Sequence, residues 1–569
     1  MKKAFTSKKI LVAILALALF LRLWKIDTVP VSLFGDELDV GYQAYSILKT
    51  GKDYSGNSWP IHFQSLAEWR TPLYLYSSVP TVALFGITPL GVRLPALIFG
   101  VLGVMLLYLL VKEIFKEEKV ALLASLVLAV SAWHIQYSRA GFEVTQLLSF
   151  LALGLFFFFK GLKDGKWMWL AAASFCLTPW VYSTAKLFAP LLMLFLFIIW
   201  RKDILSLPRK YIIYTVIAGL IVGVPIAYST IFGKGVVRFD YISVFSDPTI
   251  ESEIGSARQN ELKIRGGGAL NPSITDRLFH NKFTVWGVAI TRNYFQALGG
   301  DFLFNEGDIN LRHSIKGIGQ FYKLESIPLV VGLILFFTKF KDKRIKSLMA
   351  FWILAGVLPS VLTKDGGTHA TRLILMLPPL VILISYGLVE GINIFRKNYQ
   401  KFAAIAYGAL WLISIIFFLH NYFVLSPWDT QRWWHAGYKE AIQSLKDIGG
   451  NYDKVIISTY SEPPWVFFAA YYPYPPDKWH DGYPFKKTEV NGFGNISYID
   501  KFYFGAIDVK QGIYSYGKIL DKHILYLATA DEVKVNLIQE PERVPGDIKL
   551  VKSIAYPSGD PAFYLFTGK

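Results

Sequence analysis

Long apolar runs alternate with short polar segments over most of the chain, and this pattern predicts an α-helical polytopic membrane protein. The runs extend over roughly 15 to 22 residues, which as helix is enough to cross a hydrocarbon core about 30 Å thick. The predicted spans are 10–24, 94–111, 119–134, 145–160, 167–182, 187–200, 211–228, 325–340, 347–362, 373–390 and 402–420. The apolar segment 73–86 is shorter and contains Pro80, so we place it at the outer membrane surface.

The first span follows a basic N-terminal segment, an order that signal peptides share. Its apolar core is followed by Arg22, Leu23 and Trp24 rather than by a small-residue cleavage site. We therefore expect this span to be retained as a membrane anchor.

Basic residues are concentrated on alternate sides of the spans, and they predict how the chain is oriented. The formal net charge is +17. Lys and Arg recur before the first span and in the short loops 112–119, 160–166, 201–210, 339–346 and 396–401. Basic loops stay in the cytoplasm, so the N-terminus is predicted to be cytoplasmic in a multi-pass protein of the cell membrane. Loop 25–93, loop 229–324 and the C-terminal segment then lie outside, and no nucleic-acid partner is expected.

The last part of the chain changes character and predicts a separate extracytoplasmic α/β domain. Residues 439–450 have helical apolar spacing and end on two glycines, a common helix stop. Strands are predicted at 454–459, 496–504, 523–529, 548–556 and 563–568. The predicted division is a membrane module at 1–425 and an α/β domain at 426–569.

The first outer loop carries the most unusual chemistry, an adjacent pair of carboxylates at Asp36 and Glu37. One interpretation is structural, since acidic residues are favoured in the first turn of a helix. Tyr42 then lies on the apolar face of an interfacial helix that ends at Gly51. The other interpretation is functional, because a carboxylate at a lipid boundary can accept a proton from a hydroxyl or hold a metal.

Further charged residues recur at the outer ends of the spans. Arginine suits a phosphate because its planar fork matches two oxygens, although an arginine at a span end is often only an anchor. The candidates for a pocket around an anionic lipid headgroup are Glu68, Arg70, Arg93, His134, Arg139, Lys186, Asp308, Arg312, His313, His369 and Arg372.

Several short motifs occur in a fixed order relative to the spans. They are EWRTPLY at 68–74, VRLPAL at 92–97, SAWHIQYSRAGFE at 131–143, GDINLRHSIKGIGQFYKLE at 307–325 and HATRLILMLPPL at 369–380. With the Asp36–Glu37 pair, they resemble the bacterial and archaeal glycosyltransferases of the protein O-mannosyltransferase and aminoarabinose transferase superfamily. The resemblance covers roughly residues 10–420 and implies the GT-C fold.

The resemblance also implies a reaction. Such enzymes move a sugar, with inversion, from a polyprenyl-phosphate carrier to an acceptor outside the membrane, which is a protein, a lipid or a glycan. Asp36 corresponds to the catalytic base, and Glu37 is its neighbour. Arg93, Arg139 and Arg372, together with Arg70 and Lys186, are the candidates for binding the carrier phosphate.

The resemblance leaves the use of a divalent metal ion open. Glu68 matches the metal-binding glutamate of the aminoarabinose transferases, but the basic residue that follows is displaced by one position and one proline is missing. His313 is the second metal candidate. No other cofactor is expected.

A transporter or flippase for a lipid-linked sugar is the main alternative function, and a non-catalytic scaffold is another. Transporters place polar residues near the bilayer midplane, often in two repeated halves. Here the charges cluster at one predicted membrane face and the sequence has no evident repeat, which favours an enzyme.

Overall fold

The structure is a computed structural model of the chain. It describes residues 2–65, 68–235, 237–264, 272–482, 496–507 and 512–569, without the side chains of residues 2–6, 68 and 238. Each of the predicted spans falls largely within helix. The predicted fold class, a helical multi-span membrane protein with a C-terminal domain built on a sheet, is confirmed.

The helices carry most of the described chain. The first twelve, α1 to α12, are Lys2–Leu23, Gly35–Thr50, Leu73–Phe85, Pro89–Phe115, Glu118–Val130, Ala132–Ser138, Val144–Lys163, Met168–Val181, Ala185–Leu205, Arg209–Ile231, Val237–Ile242 and Thr249–Ile264. The next twelve, α13 to α24, are Ile274–Phe279, Lys282–Ala297, Ser326–Lys339, Lys343–Val361, Ala370–Leu373, Leu377–Ile394, Lys397–His420, Ser426–Asp429, Tyr438–Ile448, Trp465–Tyr471, Pro476–Gly482 and Ala530–Val533.

Only some of the described helices are long and apolar enough to cross a membrane by themselves. Six helical segments meet that criterion, two of which join neighbouring helices, α17 with α18 in Ala370–Ile394 and α19 with α20 in Lys397–Asp429. Helices α5 and α6, which bend by 59° at their junction, would make a seventh. Helix α3 has 13 residues, or about 20 Å at 1.5 Å per residue. That length is too short to cross the hydrocarbon core, in agreement with its predicted place at the surface.

The contacts divide the chain into two compact units. The first unit contains 1–21, 99–136 and 144–418, and the second contains 22–98, 137–143 and 419–569. The first outer loop therefore groups with the C-terminal segment, a division that differs from the predicted boundary between 425 and 426. Sequence patterns show where the chain changes character, whereas contacts show which segments pack together.

The first unit is a bundle of helices, and the packing of α15 against α18 depends on small residues. A Cβ atom added at Gly332 of α15 would lie 2.0 Å from the Leu383 carbonyl oxygen of α18. One added at Gly387 would lie 1.9 Å from the Pro328 oxygen. Two glycines thus bring these helix backbones into contact, which is how helices often pack in membranes.

The second unit contains two sheets. Strands β1 to β8 are Phe63–Ser65, Glu68–Arg70, Lys454–Ile457, Tyr498–Ile499, Phe502–Phe504, Ile524–Thr529, Ile548–Ala555 and Pro561–Gly568. The six-stranded sheet has the order β4-β5-β3-β6-β8-β7, with β3 parallel to β5 and β6 and the remaining pairs antiparallel. The strands predicted in the C-terminal domain are confirmed, with 496–504 split into β4 and β5.

Helix α2 differs from the interfacial helix that its apolar spacing predicts. Leu38 and Tyr42 are fully buried within the second unit. The Tyr42 hydroxyl donates to the Tyr474 carbonyl oxygen at 2.9 Å, and the Trp479 ring lies 5.6 Å away, edge to face. Aromatic residues of the C-terminal segment cover the helix face that was predicted to meet lipid, so Tyr42 is a core residue.

Candidate active site

The N-terminus of α2 brings Asp36 and Glu37 into one helical turn but sends their side chains in different directions. Phe34 is extended, and the helix starts at Gly35. Successive residues of a helix are rotated by about 100°. Glu37 is therefore fully buried, while Asp36 is partly exposed. In the described part of the chain, the Asp36 carboxylate has no hydrogen-bond or ion-pair partner.

Glu37 forms a buried ion pair with Arg93. Arg93 donates from Nε to Oε1 at 2.7 Å and from Nη2 to Oε2 at 3.0 Å. Its other N–H groups donate to the carbonyl oxygens of Ile26, Pro30 and Ser32 at 2.9, 3.0 and 2.6 Å. All five donors are used, so the structure places Arg93 in the protein core rather than at a phosphate.

The Glu37 carboxylate also accepts a backbone hydrogen bond from a second segment. The Gly141 N–H donates to Oε1 at 2.7 Å. A Cβ atom at position 141 would lie 3.0 Å from the Glu37 Cγ, so glycine permits this approach. Glu37 therefore connects the first outer loop to residues 137–143.

Arg70 joins two further buried carboxylates. Its Nη1 lies 3.3 Å from Asp39 Oδ2 and donates to the Asp36 backbone carbonyl oxygen at 3.1 Å. Its Nη2 donates to Glu143 Oε1. Asp39 was not among the predicted site residues, although its position three residues after Asp36 puts both on one face of a helix.

The Asp39 carboxylate is held by neutral groups as well. The Tyr54 and Ser65 hydroxyls donate to its two oxygens, each at 2.8 Å. Burial raises the pKa of Asp39 to about 6, although Arg70, Ser65 and Tyr54 act in the opposite direction. A proton on Asp39 therefore binds more tightly in the folded protein than in the unfolded chain.

This shift predicts how stability depends on pH. Because the folded pKa is raised, the stability contributed by Asp39 is complete below about pH 4 and is lost as the pH rises through about 6. We expect the melting temperature of the wild type to fall more steeply between pH 4 and pH 7 than that of Asp39→Asn. Parallel melting curves for the two proteins over that interval would contradict the assignment.

Arg139 is also buried among backbone groups. It donates to the carbonyl oxygens of Arg22 at 3.0 Å and Val29 at 2.7 Å. Its guanidinium lies over the rings of Phe423 and Tyr422, 4.8 and 5.4 Å from their centroids. These contacts hold the end of the first predicted span. The sequence predicts instead that the Arg139 guanidinium faces the carrier phosphate.

The first unit holds the other predicted site residues. Asp308, His313 and His369 lie together, with one ligand atom of each within 4.8 Å of the others. Burial raises the pKa of Asp308 to about 6 and lowers the pKa of His313 well below its usual value. Arg372 is nearby in sequence and donates to Thr363 Oγ1 at 2.8 Å and Asp365 Oδ1 at 2.6 Å.

The remaining candidates do not join this cluster as ligands. Arg312 is bonded to Asn310, and its carbonyl oxygen accepts from Gln136 at 2.6 Å. Lys186 donates to the Gly235 carbonyl oxygen at 3.0 Å, and His134 is fully buried. The prediction for the Glu68 side chain lies outside the described part of the structure.

A cleft of about 1050 Å³ opens in the second unit. Its lining includes three lysines, Lys49, Lys439 and Lys446, and the ring of Tyr471, but not Asp36 or Arg93. This cleft is therefore not the predicted arginine-lined cavity beside Asp36.

Comparison with known proteins assigns the chain to a class. Residues 70–228 match the family described as dolichyl-phosphate-mannose-protein mannosyltransferase. The crystal structure of ArnT from Cupriavidus metallidurans bound to undecaprenyl phosphate is similar over 97% of both chains, with a TM-score of 0.50 and 12% identity. The protein thus has the GT-C glycosyltransferase fold, which confirms the predicted resemblance.

Two curated relatives are similar in sequence to parts of the chain. A segment of 106 residues is 32% identical to the putative mannosyltransferase YkcB of Bacillus subtilis, covering 19% of this chain and 15% of the relative. A longer match, 24% identical over 498 residues, is to dolichyl-phosphooligosaccharide-protein glycotransferase 2 of Pyrococcus horikoshii, covering 76% of this chain and 62% of the relative. The chain thus spans less than two thirds of either relative.

Proposed function

We propose that the protein is a membrane glycosyltransferase that moves a sugar from a polyprenyl-phosphate-linked donor to an acceptor hydroxyl on the outer face of the membrane. The reaction proceeds with inversion, and Asp36 is the general base. Undecaprenyl phosphate in the solved ArnT complex and the dolichyl-phosphate donor in the family description support an isoprenoid phosphate carrier. The acceptor is a protein, a lipid or a glycan.

The observation that carries this proposal is the difference between Asp36 and the carboxylates around it. Glu37 is paired with Arg93, and Asp39 and Glu143 are paired with Arg70. Asp36 is partly exposed, and its carboxylate lacks a protein partner among the described residues. A base must keep a lone pair available to the incoming hydroxyl, and Asp36 alone of these four meets that requirement.

The surrounding pairs hold this carboxylate in place. Arg70 donates a hydrogen bond to the backbone carbonyl oxygen of Asp36. The ion pair with Arg93 holds Glu37, the next residue of the same turn. Buried groups with satisfied hydrogen bonds restrict the rotamers of a site and keep it preorganised. The network therefore positions Asp36 without neutralising it.

The chemistry follows from a single displacement. Asp36 accepts the proton of the acceptor hydroxyl while that oxygen forms a bond to the anomeric carbon. The bond from that carbon to the phosphate oxygen breaks, and the electron pair leaves with the carrier phosphate. Phosphate needs no general acid to depart, and one displacement inverts the anomeric centre, because no carboxylate nucleophile forms an intermediate.

Among the predicted ligands of the carrier phosphate, Arg372 is the one whose ion-pair partner, Asp365, is most exposed to solvent. Its side chain is 8% exposed, but that of its partner Asp365 is 65% exposed. We expect Arg372→Ala to weaken donor binding by about 10-fold or more, the loss of one charge-assisted hydrogen bond. Titration calorimetry with a polyprenyl-phosphate sugar measures this separately from turnover.

Arg344→Ala is the matched control for Arg372→Ala. Arg344 also donates to an aspartate, Asp203, at 2.6 Å, but it lies in a predicted cytoplasmic loop. Two results would contradict a role for Arg372 in binding the carrier phosphate. One is an unchanged donor affinity in Arg372→Ala, and the other is an equal fall in donor affinity in both variants.

The donor assay tests the proposed function as a whole. Purified full-length protein is incubated with a panel of polyprenyl-phosphate sugars and candidate acceptors, and free polyprenyl phosphate is measured together with glycosylated product. An inverting transferase releases one carrier phosphate for each sugar transferred. A lipid flippase in vesicles instead moves the intact donor between leaflets and releases none, and that result would refute the proposal.

A further inference from the structure

The cleft of about 1050 Å³ in the second unit has a basic wall formed by helix α21. This helix contributes Lys439, Gln443 and Lys446 to the lining. The three residues follow one another at i, i+4 and i+7, so they share one face of the helix. Another face of α21 packs into the core, where Ala441 and Leu445 are buried. The helix is thus held by its apolar residues while its two lysines face the cleft.

The lysines that line the cleft are free to meet an anion. Lys439 and Lys446, together with Lys49 of α2, are exposed, and none of them forms an ion pair within the described part of the chain. Two carboxylates also line the cleft, one of them Glu440. Three lysines against two carboxylates give the cleft a formal charge of +1. Because no carboxylate of the cleft is paired with a lysine in the described residues, the ammonium groups can bind a phosphate.

Another side of the cleft is apolar and continues onto an exposed apolar surface. Val82 and Ala83 of α3 line the cleft, and so does Ile87 just after that helix. The residues between them, Leu84 and Phe85, are 77% and 43% exposed. Helix α3 is too short to cross the hydrocarbon core and is predicted to lie at the outer membrane surface. Its exposed apolar side chains are therefore expected to contact lipid.

Lysines beside an apolar surface at the membrane favour an anionic amphiphile as the ligand. Basic side chains attract acidic lipids, and apolar side chains next to them add contact area with the acyl chains. The rings of Tyr45 and Tyr471 also line the cleft, and tyrosine is typical of the headgroup level of a membrane. Clefts that hold whole small-molecule ligands measure about 300–1,000 Å³. A volume of about 1050 Å³ is therefore large enough for a lipid headgroup.

We propose that this cleft binds an acidic glycerophospholipid of the surrounding membrane. Lys49, Lys439 and Lys446 bind the headgroup phosphate, and an acyl chain lies against the end of α3 at Ala83 and Ile87. A soluble anion would use the lysines but not the exposed apolar residues of α3. A zwitterionic lipid would use the apolar residues, but its own ammonium group would be repelled by the lysines. Only an acidic lipid satisfies both sides of the cleft.

This lipid site is separate from the proposed general base. The residues that line the cleft do not include Asp36 or its neighbours Glu37 and Arg93. The lipid is therefore a bound component of the second unit and takes no part in the proposed displacement. Failure of the lipid site would leave the proposed glycosyl transfer untouched, because the donor assay measures that reaction by itself.

Lipid titration of the full-length protein tests the proposal. The protein is purified in a neutral detergent, freed of lipid and titrated with phosphatidylglycerol or with phosphatidylcholine of the same acyl chains, and bound lipid is counted by native mass spectrometry. We expect phosphatidylglycerol to bind about 10-fold or more tightly than phosphatidylcholine. Each basic residue near an acidic lipid surface contributes about fivefold in affinity. Lys439→Gln/Lys446→Gln is therefore expected to lower the affinity for phosphatidylglycerol by about 25-fold and to leave that for phosphatidylcholine nearly unchanged.

Lys549→Gln/Lys552→Gln is the matched control. These two lysines are also exposed and belong to the same unit, but neither lines the cleft. Removing the same number of charges there is expected to leave the affinity for phosphatidylglycerol unchanged. Glu440→Gln tests the sign of the effect, because loss of a negative charge from the cleft is expected to raise that affinity by up to about fivefold. All of these side chains are exposed, so the melting temperatures should stay near that of the wild type.

Competition experiments identify the source of the phosphate. Inorganic phosphate and glycerol phosphate are expected to displace phosphatidylglycerol only at a large excess, because they lack the acyl chain. Displacement by either at a concentration equal to that of the lipid would make the cleft a site for soluble anions. Binding of a polyprenyl phosphate that is tighter than that of phosphatidylglycerol, and that is lost in Lys439→Gln/Lys446→Gln, would make it a site for the carrier. Each of these results overturns the proposal, as does equal affinity for phosphatidylglycerol in the two double variants.

Discussion

Asp36→Asn is expected to lower turnover by about 10²- to 10⁴-fold while donor binding stays near the wild-type value, since positioned general bases contribute that much. The amide keeps the size of the side chain but cannot accept the acceptor's proton. The fold should be unaffected, because the Asp36 carboxylate has no hydrogen-bond or ion-pair partner in the described residues to lose. The Asp36 carbonyl that Arg70 holds is a backbone group, and it remains in the variant.

The measurement separates three quantities: turnover, donor affinity and melting temperature. Asp27→Asn is the control. It replaces a carboxylate with an amide in the same loop, but the Asp27 side chain is exposed. A single-turnover experiment then shows whether the chemical step itself is slower. Turnover of Asp36→Asn within about threefold of the wild type would exclude Asp36 as the general base.

Arg93→Met is expected to destabilise the protein by about 3–5 kcal/mol, because removal of one partner leaves the other charge buried and unpaired. Glu37 and Arg93 are both fully buried. The substitution also removes the donors to three backbone carbonyl oxygens. The loss therefore combines an isolated carboxylate with several unsatisfied acceptors.

A double-mutant cycle separates these contributions. In Glu37→Gln/Arg93→Met the isolated charge is gone, so we expect part of the lost stability to return, while the unsatisfied carbonyls prevent full recovery. Arg344→Met is the control, since the Arg344–Asp203 pair is roughly half exposed on both sides, and such surface pairs contribute about 1 kcal/mol or less. Equal melting temperatures for Arg93→Met and Arg344→Met would show that burial of the Arg93 pair does not matter.

Segments with a strong local pattern were predicted with success. The apolar spans and the β-rich tail both follow from periodicity and residue type, which act over a few neighbouring residues. Helix α21, Tyr438–Ile448, and strand β6, Ile524–Thr529, fall where the sequence places them. Helix α2 also forms where predicted, but it is buried in protein rather than lying at the membrane surface. The aromatic residues that bury it come more than 400 positions later in the chain.

The site was predicted less well, and the arginines show why. Arg70, Arg93 and Arg139 are candidates for the carrier phosphate because of their residue type and their position in the outer loop or near the ends of spans. In the structure, they hold carboxylates and backbone carbonyl oxygens of distant segments. A guanidinium matches a carboxylate as well as a phosphate, so residue type alone cannot separate the two.

The sequence by itself determined that this is a multi-span helical protein with a sheet-bearing C-terminal segment, and its motifs identified the GT-C class. Those features depend on hydrophobic periodicity and on short ordered motifs, which are readable residue by residue. Only the tertiary structure decided that Glu37 is neutralised by Arg93, that Asp39 joins Arg70, and that Asp36 stays accessible. Side chains adjacent in a helix point in different directions, and the partner that each one meets comes from a remote part of the chain.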